Sequence, residues 1–132
     1  MKKYTAWMAV KTHINNESKK PTYKEGGIYW VSIGENIGFE QDGKGDLYTR
    51  PVLVIKGISR HLFVGLPLTS QPKQGNYFYP LGMVGEKFAT ALLLQVRTFD
   101  VARLSNNARM ISRISFVELQ QVRAALSVML LK

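Results

Sequence analysis

From residue 28 onward the chain sets short apolar runs between polar, glycine-bearing turns. The runs are IYWVSI (Ile28–Ile33), PVLVIK (Pro51–Lys56), HLFVGLPL (His61–Leu68), NYFYPL (Asn76–Leu81) and ATALLLQV (Ala89–Val96). They are rich in β-branched and aromatic residues, the types that suit a half-buried pleated surface. Short strands separated by turn signals predict a small antiparallel barrel or sandwich rather than alternating β–α units. PVLVIK and HLFVGLPL, joined by GISR, read as a hairpin. With GISR as its turn, Lys56 pairs with His61 and Arg50 stands opposite Pro67.

The period changes at both ends. Ser115 and Glu118 have capping-box spacing, Ile114 can staple onto Leu119, and Leu119, Val122, Leu126 and Met129 continue one apolar face. That is a C-terminal helix. Tyr4, Trp7, Met8, Lys11 and Ile14 also fall at helical spacing and predict a short N-terminal helix or arm. NNESKKPTYKEGG (Asn15–Gly27) is polar, with a proline and two glycines, and reads as a linker. The expected organisation is an arm and linker over residues 1–24 and one mainly β domain, of α+β class, over 25–132.

GENIGFEQDGKGDLY (Gly34–Tyr48) interrupts the strands with four glycines. A polar loop of that length in a small domain is functional or disordered. It is not a phosphate-cradling P-loop, because Lys44 is followed by glycine rather than Ser or Thr.

Composition narrows the chemistry. A chain of 132 residues supports one core, and the absence of cysteine excludes disulfides, thiolate metal ligands and Cys nucleophiles. Two isolated histidines, His13 and His61, do not make a zinc set, and His61, at the turn end of the hairpin, reads as structural. No run is long enough to span a bilayer and the N-terminus lacks the apolar core of a secretion signal, so a cytoplasmic protein without membrane contact is expected. The formal charge of +9 favours a polyanionic partner, either nucleic acid or an acidic protein.

One pair of residues gives that charge a focus. Thr69 lies two residues beyond Pro67 on the same face of its strand, within diagonal reach of Arg50. The two can converge at one sheet edge beneath the glycine-rich loop. By themselves they fit a structural edge contact or an anion site.

The pieces EGGIYWVSI, IGFEQDG, TRPVLVI, GLPLTSQ, LLLQVRTFD and RISFVELQQVRAAL stand in an order that resembles the MazF/PemK-type toxins of bacterial toxin–antitoxin systems, over residues 25 to 127. The resemblance implies a compact SH3-like β-barrel with a C-terminal helix, normally a homodimer. It implies an endoribonuclease that cuts single-stranded RNA at short sequences without metal or other cofactor, restrained by a cognate antitoxin. By the same resemblance, Arg50 before proline becomes the cation that stabilises the phosphoryl transition state, and Thr69 the hydroxyl that orients the 2′-hydroxyl or a phosphoryl oxygen. An arginine fork suits bidentate phosphate contact and stays charged. Ser70 can assist and Gln71 can read a base edge.

The first-loop residues Phe39, Glu40 and Gln41 are further RNA-binding candidates. Phe39 can stack on an unpaired base or simply pack in the loop; Glu40 can act as a base or pair with a cation. In QVRTFD, Arg97 either pairs with Asp100 at a corner where the strand ends, or reaches the RNA groove or dimer seam. Two positions depart from the pattern. Some PemK-type members carry a histidine and an aspartate where this chain has Phe39 and Leu94, so that acid–base couple is not carried over. The extra KGDLY before TRP is expected to alter the RNA sequence accepted. Two other readings use the same barrel: a gyrase-poisoning protein binder, against which stands the lack of a tryptophan in the ending SVMLLK, and a degenerate member that binds without cutting.

Overall fold

The computed structural model describes residues 4–16, 22–34, 49–105 and 108–131. Seven antiparallel strands form a curled sheet, a half-barrel, with a helix at each end of the chain: α1 (Tyr4–Asn16), β1 (Gly27–Ser32), β2 (Thr49–Gly57), β3 (Leu62–Thr69), β4 (Phe78–Val84), β5 (Lys87–Leu92), β6 (Arg97–Asp100), β7 (Met110–Arg113) and α2 (Phe116–Leu131). The strand order is β4-β5-β3-β2-β1-β7, with β6 also on β3. One edge of β3 pairs with β2, while the other is shared: Leu62–Gly65 bond β6, and Leu68 and Thr69 bond β5. The expected α+β barrel with two terminal helices is therefore the architecture found.

Strand alternation sends side chains into two cores. Ile28, Leu53, Ile55, Leu66, Leu68, Ala91 and Leu93 face α2, which contributes Leu119, Val122 and Leu126. Tyr29, Val31, Val52, Val54, Phe63 and Phe99 fill the opposite side. Burying apolar area on both faces explains why β1 to β3 read as nearly continuous apolar runs.

The C-terminal helix starts as its sequence predicts. Ser115 Oγ accepts the N–H of Glu118 at 3.1 Å, satisfying one of the helix's orphan donors. Arg123 then fastens α2 to the sheet: its Nε donates to Ile55 O at 2.8 Å and its Nη2 meets Glu25 at 3.2 Å. The other oxygen of Glu25 accepts the Gly57 N–H at 2.7 Å, and that bond, with Arg123, holds the carboxyl below its ordinary pKa. No described helix is long and apolar enough to cross a membrane.

At the other end, α1 docks through Trp7, which is only 6% exposed. The indole lies where a side chain of residue 34 would be: a Cβ on Gly34 would come within 2.2 Å of it, and Gly34 has φ +83°. Only glycine suits both demands. The half-buried Arg103 guanidinium lies 5.8 Å from the Trp7 ring and donates to Ser32 O at 3.0 Å. Met8, expected on the same apolar face, is exposed.

Three expectations are corrected. In the hairpin, Lys56 pairs with Val64 rather than His61, and Val52 with Pro67. A bulge between Val54 and Lys56 adds a residue to β2, and the turn shifts onto Ile58–His61, whose Ile58 and Ser59 N–H groups both donate to Leu62 O. The run Ala89–Val96 is strand only to Leu92, then turns as a 3₁₀ segment over Leu93–Gln95. Arg97–Asp100 does not enter a loop but forms β6, and Met110–Arg113 adds β7 on the outer side of β1.

Candidate active site

The corrected register strengthens the Arg50–Thr69 relation. Continuing the Val52–Pro67 alignment by two residues sets Arg50 level with Thr69, on one face of the sheet. Arg50 is extended because the proline that follows disfavours helical geometry there. It is half-buried, and its Nη1 donates to Leu68 O, the carbonyl beside Thr69, at 3.3 Å. Thr69 Oγ1 accepts the Gln71 N–H at 3.2 Å, a local turn bond that fixes the hydroxyl oxygen. Its proton has no acceptor among the described residues, so the group can donate outward.

Arg50, Thr69 and Ser70 line one cleft of about 570 Å³. Its other walls come from Trp30 on β1 and from Glu86, Lys87 and Phe88 at the β4–β5 turn. The cleft therefore combines a fixed guanidinium, the hydroxyls of Thr49, Thr69 and Ser70, a lysine and aromatic surface. A guanidinium carries five N–H donors in a rigid fork, and a nearby hydroxyl can align an attacking or leaving oxygen. Such a set of groups can hold an anionic oxygen and place a hydroxyl beside it.

The remaining candidates fall elsewhere. Gln71 is exposed and gives its backbone N–H to Thr69, but does not line the cleft. Arg97 pairs across the sheet with Gly65, about 13 Å along β3 from Thr69 at roughly 3.3 Å per residue. Its guanidinium lies 4.7 Å from the Phe99 ring. Strand alternation sends Arg97 and Asp100 to opposite faces, and Asp100 instead accepts the Ala102 N–H at 2.9 Å. Phe39, Glu40 and Gln41 lie outside the described residues. Leu94 is 59% exposed on the 3₁₀ turn. His61 sits at the far end of the hairpin, its backbone N–H on Ser59 Oγ. Among the described residues no three His, Asp or Glu side chains gather as a metal site.

Sequence reasoning missed Trp30, Glu86, Lys87 and Phe88. The signal for the last three was the glycine of VGEKF, a tight-turn mark after NYFYPL. Trp30 carried none, because alternation cannot tell the rim of a core from its centre. Another silent residue is Thr90, directly across the β3–β5 ladder from Thr69. It is fully buried and its hydroxyl has no hydrogen-bond partner among the described residues.

The fold and its cleft define a class: a small basic antiparallel half-barrel with an arginine–threonine pair at one sheet end. A profile of PemK-like, MazF-like toxins of type II toxin–antitoxin systems matches residues 24–130. The chain belongs to that family. Solved structures share the fold. MazF from Deinococcus radiodurans superposes with a TM-score of 0.60 at 22% identity, over 83% of this chain and 96% of that one. An endoribonuclease in complex with its cognate antitoxin from Mycobacterial species gives 0.61 at 13%, over 83% and 95%. The Mycobacterium tuberculosis toxin MazF-mt6 gives 0.57 at 14%, over 77% and 93%. No curated protein matches the chain by sequence.

Proposed function

We propose that this chain is a sequence-specific endoribonuclease that cleaves single-stranded RNA and is neutralised by a cognate antitoxin. The observation that carries the reading is Arg50 level with Thr69 in a single basic-sided cleft. In the reaction the 2′-hydroxyl of the substrate attacks the adjacent phosphorus, giving up its proton to water, and the 5′-oxygen of the next nucleotide leaves, taking a proton from water to become the 5′-hydroxyl. Arg50 stabilises the charge that builds on the phosphoryl oxygens, the kind of contribution that dominates many transfer reactions. Thr69 donates its O–H to a phosphoryl oxygen or the attacking hydroxyl and fixes the alignment. Phe39 and Leu94 carry no ionisable group, so the chemistry rests on alignment and charge stabilisation rather than on a His–Asp couple. The family match and the relative solved with its cognate antitoxin support the partner.

The decisive experiment incubates the purified chain with a long unstructured RNA in excess EDTA, beside Arg50→Ala. Cleavage by the wild type and a loss on the order of 10²-fold or more in kcat for the variant are expected. Products should carry 2′,3′-cyclic phosphate or 3′-phosphate with 5′-hydroxyl ends, and the rate should have no inflection near pH 6.5, where an ordinary histidine titrates. Intact RNA, or 5′-phosphate ends, would refute the mechanism.

We further propose a homodimer. The end of helix α2 leaves Val128 (55% exposed), Leu130 (58%) and Leu131 (79%) outside the core, neighbouring apolar side chains of the kind that mark an interface. Sedimentation equilibrium should return twice the chain mass; a monomer at micromolar concentration would refute it.

A further inference from the structure

A carboxylate is out of place in a cleft meant for a polyanion, and Glu86 is one. The last pair of the β4–β5 hairpin is Val84 with Lys87, so Gly85 and Glu86 form a two-residue turn. Gly85 has φ +62°, the left-handed start that tight hairpin turns require. Such a turn fits the twist of its strands and holds Glu86 and Lys87 at fixed positions on the cleft wall. Both side chains are exposed and neither makes a hydrogen bond or ion pair with the described residues.

A carboxylate facing phosphate is repelled, so its place implies a ligand part that is neutral and rich in donors. An ionised carboxylate only accepts. Bases that present amino groups satisfy it, and guanine does so best, with adjacent N1–H and N2–H groups matching the two carboxylate oxygens. Uracil, with one N–H between two carbonyls, does not. An unpaired base has that edge exposed, and proteins read single-stranded RNA there while stacking the ring on aromatics. The cleft has the aromatics: Trp30 is 37% and Phe88 43% exposed, and both line it. Trp30 is held in place, its carbonyl accepting both the N–H of Ser105 at 2.9 Å and its Oγ–H at 3.2 Å.

We propose that Glu86 is the specificity-determining residue of the cleft, reading a guanine-like base stacked on Trp30 while Lys87 holds a neighbouring phosphate. The inference rests on the RNA-cleaving reading of the same cleft. The experiment has two arms. Cleavage sites in a randomised RNA are sequenced for the wild type, Glu86→Gln and Lys87→Ala. Binding of non-cleavable 2′-deoxy oligonucleotides, guanine- or uracil-bearing, is followed by tryptophan fluorescence, which reports on exposed Trp30 because Trp7 is sealed.

The wild type should prefer guanine over uracil at one position by about tenfold or more. Glu86→Gln should erase most of that preference while the variant still cuts. Lys87→Ala should raise KM alike for all sequences and lower the salt slope by about one. An unchanged base preference in Glu86→Gln, with Arg50→Ala inactive, overturns the inference and leaves the nuclease reading standing. If no RNA is cut but guanine oligonucleotides quench Trp30 and Glu86→Gln abolishes their advantage, the nuclease reading fails and the base site stands. Fluorescence unmoved by any oligonucleotide overturns the base site.

Discussion

Thr69 and Thr90 face each other across one ladder and do opposite things. Thr69 has its oxygen tied to a backbone N–H and its proton available in the cleft. Thr90 is sealed with an unpartnered hydroxyl. On the proposed role, Thr69→Val should lower kcat by about tenfold to a hundredfold, with little change in unfolding midpoint, since the structural bond it gives up, from the exposed Gln71 N–H, can be replaced by water. Thr90→Val keeps the shape and deletes an unsatisfied polar group, so it should stabilise the fold by about 1 kcal/mol in urea titration and leave kcat nearly unchanged. Destabilisation by Thr90→Val would refute the reading of an unpartnered hydroxyl. Arg50 and Thr69 were readable from sequence because strand alternation fixes which side chains share a face. Thr90 was not, because burial of a threonine depends on what crosses above it.

At the scale of elements, α1 docks just past the end of β1 through a contact that sequence spacing only half disclosed. The helical period named Trp7 but could not say that Gly34 is its seat. Gly34→Ala adds a Cβ to a left-handed residue and into the indole, so a cost of about 1–3 kcal/mol is expected. Acrylamide quenching should then reach two tryptophans rather than one; unchanged quenching would mean that α1 stays docked. The hairpin shows the opposite failure. Its strands were clear from their apolar runs, yet its register slipped because a bulge and a displaced turn leave no mark in the hydrophobic pattern. The four-residue strands β6 and β7 were missed for a related reason: they are too short to express a period and exist because β3 and β1 offer free edges. The C-terminal helix was read almost whole, since its cap, staple and buried face are all local in sequence.

Across the whole molecule, acid should loosen the grip of α2. Glu25 joins the β2 backbone to Arg123, and the Gly57 N–H it accepts, with Arg123 beside it, holds its folded pKa below the ordinary carboxylate value. A depressed carboxylate pKa adds stability that is present above the unfolded value and lost as pH falls through the folded one. Urea midpoints should therefore drop as pH is lowered below about 4.5, and Glu25→Gln should flatten that decline; equal slopes in both proteins would exclude this link.

The cleft also has a history written into its chain order. Its walls run from Trp30 in the first strand to Ile111 in the last, and Gly27 finds its partner only when Arg113 exists. A chain emerging from the ribosome thus carries Arg50 and Thr69 long before it has a groove to use them in. A fragment that stops short of the seventh strand would lack a wall and a closed sheet edge together. For a toxin this sets an order of assembly: the two residues are made first, and their groove gains its last wall only once the strand Met110–Arg113 has been added.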